Sequence, residues 1–391
     1  MGRSTRNDSD RAVRVATAGA PDGFPTLSRR GCDDLAGFML EKCSGLGAIL
    51  PITRTDLNER AMQRLIERLR TGRMFSMTGA GLSAWAGYPV WSVLLHRLEQ
   101  RVQEVRDGEV DVALIRRRWR QSPLEFAGRL GRELGDDFLR FLRAQFGVGG
   151  GTGLAHVLFQ FASLPFHHHM TLNYDDSLER SHPNGLQSCA SVTSADRGSF
   201  IEFLERCDDP TYGKRAVHCH GLHTDPLDGL ILTEPGYAAF YQDRDLFKQI
   251  YWALLSTRSF LFAGFGFTDK DFLDALQAWK RDTRARENDL VHFAIYGLSA
   301  GEDDEAVRAR LAGTYRIDSI FYEVLPDHDH QGFASIITNL TQALGTIDLP
   351  PQVPTAPAVF AAANLNVEDE ARIEELTNTM LGRTEGGLPD A

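Results

Sequence analysis

The stretch Met74-Phe-Ser-Met-Thr-Gly-Ala-Gly-Leu-Ser83, which continues to Gly87-Tyr-Pro-Val-Trp91, decides the fold. Its first four residues carry no charge, which is typical of a buried parallel strand. The turn Gly79-Ala-Gly81 follows directly, and a helical pattern resumes after Pro89. A strand that runs into a turn of small residues lets the phosphates of a ligand approach the backbone amides. An ordinary tight strand-to-helix turn is the alternative interpretation.

The composition indicates a globular protein that does not bind polyanions directly. The chain has 391 residues, a hydrophobic fraction of 42% and a net charge of −11. A negative field of this size argues against direct binding to nucleic acid or to an anionic membrane. No apolar segment approaches the roughly 20 residues that span a bilayer, and the polar N-terminus lacks the apolar core of a signal peptide. We therefore expect a cytoplasmic protein.

The cysteines predict neither a disulfide framework nor a zinc ribbon. There are five, an odd number, and they form no C-x-x-C pair: Cys32, Cys43, Cys189, Cys207 and Cys219. This pattern is typical of a reducing compartment.

Changes in composition along the chain predict three segments. Residues 1–50 form an N-terminal extension, residues 51–346 form one α/β domain, and residues 347–391 form a C-terminal tail. Within the domain, residues 91–150 form a helical insertion that ends in a glycine-rich loop.

Strands alternate with helices through the rest of the domain. The predicted strands after the first are His169–Asn173, Arg215–Cys219, Leu230–Thr233, Phe260–Gly264, Val291–Tyr296 and Ser319–Val324. The predicted helices are Leu246–Thr257, Lys270–Arg284, Asp303–Leu311 and Gly332–Leu344. This alternation predicts a Rossmann-like, mostly parallel sheet with helices on both faces and no zinc ribbon. Ligands of such sheets bind at the carboxyl ends of the strands.

The predicted strand His169–Asn173 ends in a polar segment, Thr171-Leu-Asn-Tyr-Asp-Asp-Ser-Leu-Glu179. Asn173 can both donate and accept a hydrogen bond, which suits it to hold a water or a carboxamide. Asp175 could accept from a ribose hydroxyl, or it could cap the helix that follows. Both roles stay open at this point.

A histidine follows the next strand, in Val217-His-Cys-His-Gly-Leu222. His220 lies before Gly221 at a predicted strand end, where an imidazole could take a proton from a sugar hydroxyl or from water. His218, Cys219, His220 and His223 together also allow a metal site, although no carboxylate or second cysteine partner is evident.

A third strand, Phe260-Leu-Phe-Ala, runs into Gly264-Phe-Gly-Phe-Thr-Asp269. Its glycines would again let backbone amides meet a phosphate or a ribose, and Asp269 could cap the next helix.

Taken in order, four motifs resemble the signature of sirtuin-like NAD-binding domains: the Gly79-Ala-Gly-Leu-Ser83 turn, Asn173 with Asp175, the His220-Gly221 pair and the Gly264-Phe-Gly266 turn. The likeness covers about residues 57 to 345, and four ordered motifs are more specific than any one of them. Protein-deacylating sirtuins also carry a zinc module with two C-x-x-C pairs, and an Asp-Phe-Arg where this chain has Val90-Trp91-Ser92. The chain is instead similar to the sirtuin-like NAD hydrolases of bacterial antiphage defence.

This resemblance implies that NAD is a substrate, hydrolysed to nicotinamide and ADP-ribose without a metal, by the toxic effector of an abortive-infection system. In the implied catalytic set, Asn173 positions the water or the nicotinamide amide, His220 abstracts a proton, and Asp175 orients a ribose hydroxyl. The implied NAD-binding residues are Gly79, Ala80, Gly81, Ser83, Pro89, Gly264, Phe265, Gly266 and Asp269.

The alternatives are an NAD-dependent protein deacylase or ADP-ribosyltransferase, and a non-catalytic sensor of NAD or of a derivative. The resemblance also implies a homo-oligomer, or a separately encoded HerA-like ATPase or short Argonaute partner. We expect the helices of residues 91–146 and the tails to form those contacts.

Overall fold

The computed structural model describes residues 55–119, 122–147, 150–151, 153–183, 185–238, 253–267, 270–282, 292–325 and 330–345. The boundaries predicted at residues 50 and 346 fall outside these ranges and stay predictions. The same holds for Asp269, for most of the predicted helix Leu246–Thr257 and for part of the glycine-rich loop.

Seven parallel strands in the described residues form one sheet. They are β1 (Phe75–Thr78), β2 (His169–Thr171), β3 (Cys189–Thr193), β4 (Lys214–His218), β5 (Phe260–Ala263), β6 (His292–Leu298) and β7 (Ile317–Glu323). Their order across the sheet is β3-β4-β2-β1-β5-β6-β7. The chain therefore places β2, β3 and β4 on one side of β1 and then returns to place β5, β6 and β7 on the other. The predicted Rossmann-like α/β fold is confirmed.

Helices connect the strands. They are α1 (Thr55–Arg70), α2 (Ala80–Ser83), α3 (Trp91–Arg106), α4 (Val112–Trp119), α5 (Pro123–Leu134), α6 (Asp137–Phe146), α7 (His156–Ser163), α8 (Ser177–Arg180), α9 (Arg197–Arg206), α10 (Glu234–Tyr237), α11 (Lys270–Asp282), α12 (Asp304–Tyr315) and α13 (Gln331–Leu344). The predicted insertion between β1 and β2 is helical through α3 to α6. Residues 253–257 are helical as well.

The core is divided by the sheet. Side chains of a strand alternate between its two faces, and on β5 Leu261 belongs to one buried cluster while Phe262 belongs to the other. The first cluster packs under helices that include α1, α3, α7 and α13, and the second under α9, α11 and α12. None of the described helices has both the length and the apolar character needed to cross a membrane.

One predicted strand was wrong and one was missed. Residues 230–233 are irregular, and residues 230–232 are buried. The Ile231 amide donates to the His220 carbonyl at 3.0 Å, in a neighbouring loop and not in a strand. The apolar run there is buried loop, not sheet. Strand β3 was missed because its residues are mostly polar or small.

Candidate functional site at the carboxyl edge of the sheet

The site begins where β1 and β5 end, side by side. These two strands lie at the point where the sheet order reverses, which is where open α/β sheets bind ligands. The Gly79 amide donates to the Ala263 carbonyl at 3.2 Å, and the Gly81 amide donates to the Gly264 carbonyl at 3.0 Å. The two glycine turns are thus packed against each other through their backbones.

Glycine is required at this contact for steric reasons. A Cβ on Gly79 would lie 2.6 Å from the Gly264 carbonyl oxygen, and one on Gly264 would lie 2.1 Å from the Leu82 amide. Gly264 also has a φ of +60°, which residues with a side chain rarely adopt. The amides of Gly79 and Gly81, which the sequence suggested for phosphate binding, are already paired within the protein. Their contact with a ligand stays a prediction.

Asn173 connects this turn to the end of β2. Its Nδ2 donates to the Gly79 carbonyl at 2.9 Å and to Ser83 Oγ at 2.7 Å. Its own amide donates to Thr171 Oγ1 at 3.0 Å. With Nδ2 engaged twice, Oδ1 is the side-chain atom that Asn173 can offer a ligand. The Ser83 hydroxyl, predicted to contact a ligand, accepts from Asn173 here.

Asp175 lies buried beside this group. Its Oδ1 accepts from the Ser177 amide at 3.0 Å, at the first residue of α8, although Asp176 and not Asp175 is the N-cap residue of that helix. Burial raises the pKa of the Asp175 carboxyl, and hydrogen bonding from the hydroxyls of Ser177 and Ser83 opposes that rise. Oδ2 is buried without a partner of full hydrogen-bond geometry in the described residues. A ribose hydroxyl could supply that bond, and the ribose role stays a prediction.

His220 follows the adjacent strand. Thr171 of β2 pairs with His218 of β4. Asn173 lies two residues after Thr171, and His220 lies two residues after His218. The His220 ring is 2% exposed and packs edge-on against Tyr237, with 5.2 Å between ring centroids. Burial lowers the pKa of His220 to about 3, so its imidazole is neutral at physiological pH.

A buried ion pair, missed from the sequence, lies behind Asn173. His218 Nε2 is 2.7 Å from Glu179 Oε1, and both side chains are 0% exposed. His218 Nδ1 is 3.0 Å from the Asn173 carbonyl oxygen. The attraction of Glu179 and the hydrogen bonds to Glu179 and Asn173 outweigh the effect of burial and raise the pKa of His218 to about 9. The same pairing lowers the pKa of Glu179 despite its burial.

The sequence offered only a weak signal for this pair. The sequence allows His218 and His220 to share a metal, but β4 ends at His218, and the two histidines contact different partners. Among the described residues, no group of three or more His, Cys, Asp or Glu side chains is arranged to hold a metal ion.

The remaining predicted residues differ in their surroundings. Ala80 begins α2 and is half-buried, and Pro89 is buried. The Phe265 ring packs in the core against Phe262 and Phe272, with centroids 5.7 and 5.0 Å away, so only its backbone can meet a ligand. Gly266 is exposed. The turn around Gly264 therefore presents backbone to the edge of the sheet.

Residues 167–320 match the family model described as a SIR2-like domain. This segment of the chain is therefore similar to SIR2-like domains. The matched segment begins just before β2 and ends within β7, so it includes Asn173, His220 and Gly264, while the Gly79 turn precedes it. A hydrogen bond from Asn173 to the Gly79 carbonyl connects that turn to the matched segment.

Two relatives are similar over a longer stretch. The chain is 25% identical over 237 residues to the NAD(+) hydrolase ThsA of Enterococcus faecium, which covers 60% of this chain and 45% of the relative. It is 26% identical over 237 residues to the NAD(+) hydrolase ThsA of Acinetobacter baumannii (strain 532279), which covers 60% of this chain and 44% of the relative. The similarity spans less than half the length of each relative.

Proposed function

We propose that this chain hydrolyses NAD to nicotinamide and ADP-ribose. Three observations support the proposal: the SIR2-like domain, the similarity to two proteins named NAD(+) hydrolase, and a polar group at the reversal point of a parallel sheet. The observation that carries it is the Asn173 side chain, whose Nδ2 contacts both Gly79 and Ser83 at that edge.

The proposed reaction breaks the bond between nicotinamide and ribose. Positive charge builds on the ribose as nicotinamide leaves, so the protein must hold a nucleophilic water in place and present dipoles to that charge. Asn173 Oδ1 would accept from the water or from the nicotinamide amide. Asp175 Oδ2 would accept from a ribose hydroxyl, since none of the described residues donates a hydrogen bond of normal geometry to this atom.

His220 would take the proton of the water or of a ribose hydroxyl. A neutral imidazole can accept a proton, but a pKa of about 3 makes a weak base at pH 7. The negative pyrophosphate of NAD would favour the charged imidazolium and so raise the pKa of His220. This dependence would make His220 an effective base only with substrate bound.

The test is to incubate the purified full chain with NAD, with and without the candidate partners, and to quantify nicotinamide and ADP-ribose by chromatography. We expect equal amounts of the two products, and loss of both in the Asn173→Ala and His220→Ala variants. An acyl-ADP-ribose product in the presence of an acylated peptide would instead identify a deacylase. Bound NAD that is never cleaved, even by folded wild-type protein, would identify a sensor.

We also propose that the activity serves as a toxic effector in antiphage defence and is restrained by assembly, either of this chain with itself or with an ATPase or Argonaute partner. The helical insertion offers a surface for such a contact, because two of its apolar side chains are exposed: Val105 of α3 at 42% and Leu114 of α4 at 55%. Mass photometry of the wild type and of a Val105→Ser, Leu114→Ser variant tests the self-assembly. A smaller assembly in the variant is expected, and an unchanged one would contradict this surface.

A further inference from the structure

The buried pair of His218 and Glu179 has a defined geometry that the proposed reaction does not use directly. Both partners of the His218 ring present oxygen atoms: the Asn173 carbonyl at 3.0 Å from Nδ1, and Glu179 Oε1 at 2.7 Å from Nε2. A carbonyl oxygen can only accept, and Glu179 Oε1 also accepts from Ser191 Oγ at 2.6 Å. The ring therefore donates from both nitrogens and is an imidazolium.

Stability alone does not explain such a pair. Removing two charges from water costs about as much as their mutual attraction returns, and buried ion pairs can often be replaced by apolar residues without loss of stability. Both side chains here are 0% exposed, so the cost of removing them from water is fully incurred. The feature that distinguishes this pair is its second contact, to the backbone of Asn173.

Asn173 lies beyond the last residue of β2, where the hydrogen bonds of the sheet no longer hold the backbone. Its amide donates to Thr171 and its carbonyl accepts from His218, so both peptide groups that flank its Cα are held. The side chain is thereby directed to Gly79 and Ser83. Asn173 has this orientation only as long as its backbone is held.

We propose that His218, itself held by Glu179, is a positioning residue that orients the Asn173 amide for the reaction. The inference rests on the proposed function for its kinetic consequence. It does not make His218 a catalytic residue, since the ring contacts protein atoms on both nitrogens. The general principle is that a small displacement of a group that holds a reactant slows the reaction strongly.

Two matched variants separate positioning from stability. An asparagine at position 218 places its amide nitrogen near the place of the histidine Nδ1 and can still donate to the Asn173 carbonyl. A glutamine reaches the place of Nε2 and can still contact residue 179, but it does not donate to Asn173. Both are made together with Glu179→Gln, because an unpaired Glu179 would be a buried charge that could prevent folding.

With NAD as substrate, we expect the His218→Gln variant to lose at least about tenfold in kcat with KM changed by less than about twofold. The His218→Asn variant should retain kcat within about threefold of the Glu179→Gln parent. The opposite order, or equal losses that follow the melting temperatures of the variants, would overturn the inference, because a purely structural role depends on residue 179 and not on Asn173.

Crystal structures of the two variants give a readout that does not require turnover. The Asn173 side chain should keep its contacts with Gly79 and Ser83 in the His218→Asn variant and lose them in the His218→Gln variant. An Asn173 side chain in the same place in both structures would overturn the positioning role. Absence of nicotinamide release from the wild type, both alone and with the candidate partners, would instead refute the proposed function, and the crystal structures would still decide the role of His218.

Discussion

Asn173 Nδ2 donates to Ser83 Oγ over 2.7 Å, and this bond ties the end of β2 to the short helix that follows β1. The two residues are 90 positions apart, separated by the whole helical insertion. The bond therefore exists only in the folded domain, and it places an amide at the edge of the sheet where parallel α/β folds bind ligands.

Replacing Asn173 by alanine should abolish turnover and spare the fold. We expect nicotinamide release to fall about 100-fold or more, because a preorganised polar group is lost at the reacting centre. The control is Asn58→Ala on α1, beside β7. The Asn58 side chain is also hydrogen-bonded, to the Phe321 backbone at 2.9 and 3.1 Å and to Arg308 at 3.0 Å. Comparable turnover losses in the two variants, measured on folded protein, would contradict the site.

The contact between the two glycine turns should be intolerant of a methyl group. Gly79→Ala should destabilise the domain by about 1–3 kcal/mol through overpacking, and Gly264→Ala by more, because its φ of +60° adds backbone strain. Gly313→Ala is the control: a Cβ there meets nothing within 4 Å inside α12, so we expect a gain of about 0.5–1 kcal/mol. Denaturant unfolding measures all three, and a neutral Gly264→Ala would refute the packing.

Acid should destabilise the protein through its buried histidines. Burial lowers the pKa of His168 and His182 to about 4 and that of His220 and His292 to about 3. The unfolded chain has histidine pKa values near 6.5. Between the folded and unfolded pKa values the unfolded state binds more protons, so the free energy of unfolding falls as the pH is lowered.

Each such histidine contributes up to about 1.4 kcal/mol per pH unit. The free energy of unfolding should therefore drop steeply from pH 6.5 to pH 4, as urea titrations can show. A free energy of unfolding that is flat over this range would mean that these rings are solvated or charged in the native state.

Alkali should weaken the domain through a different histidine. The pKa of His218 is raised to about 9 by Glu179, above the value of about 6.5 in an unfolded chain. Its stabilisation is thus fully present below about pH 6.5 and is lost as the pH rises through 9. The loss between about pH 6.5 and 9 should disappear in a variant that combines His218→Gln with Glu179→Gln. Persistence of the same slope there would assign it to other groups.

Most of the sheet could be predicted because its strands are continuous apolar runs. Phe260–Ala263 is the clearest example, and the positions of Asn173 and His220 followed from their places just after such runs. Residues 230–232 show the limit of this signal, since an equally apolar run became buried loop. Short apolar segments do not by themselves specify whether their backbone pairs with a strand.

The interior of the site was less predictable. His218 on β4 and Glu179 on α8 are 39 positions apart in the sequence. A histidine or a glutamate does not by its identity indicate which residue it pairs with. The packing of the Gly79 turn on Gly264 is likewise a contact between distant segments. Local sequence identified the glycines, but the reason for them is tertiary.

The most direct test of the central claim is a crystal structure of the full chain with ADP-ribose, the product of the proposed reaction. We predict that its pyrophosphate lies beside the turn of residues 79–83 and that the ribose carbon released from nicotinamide faces both Asn173 and His220. ADP-ribose bound elsewhere on the domain, or side chains of Asn173 and His220 that open onto separate cavities, would contradict the account.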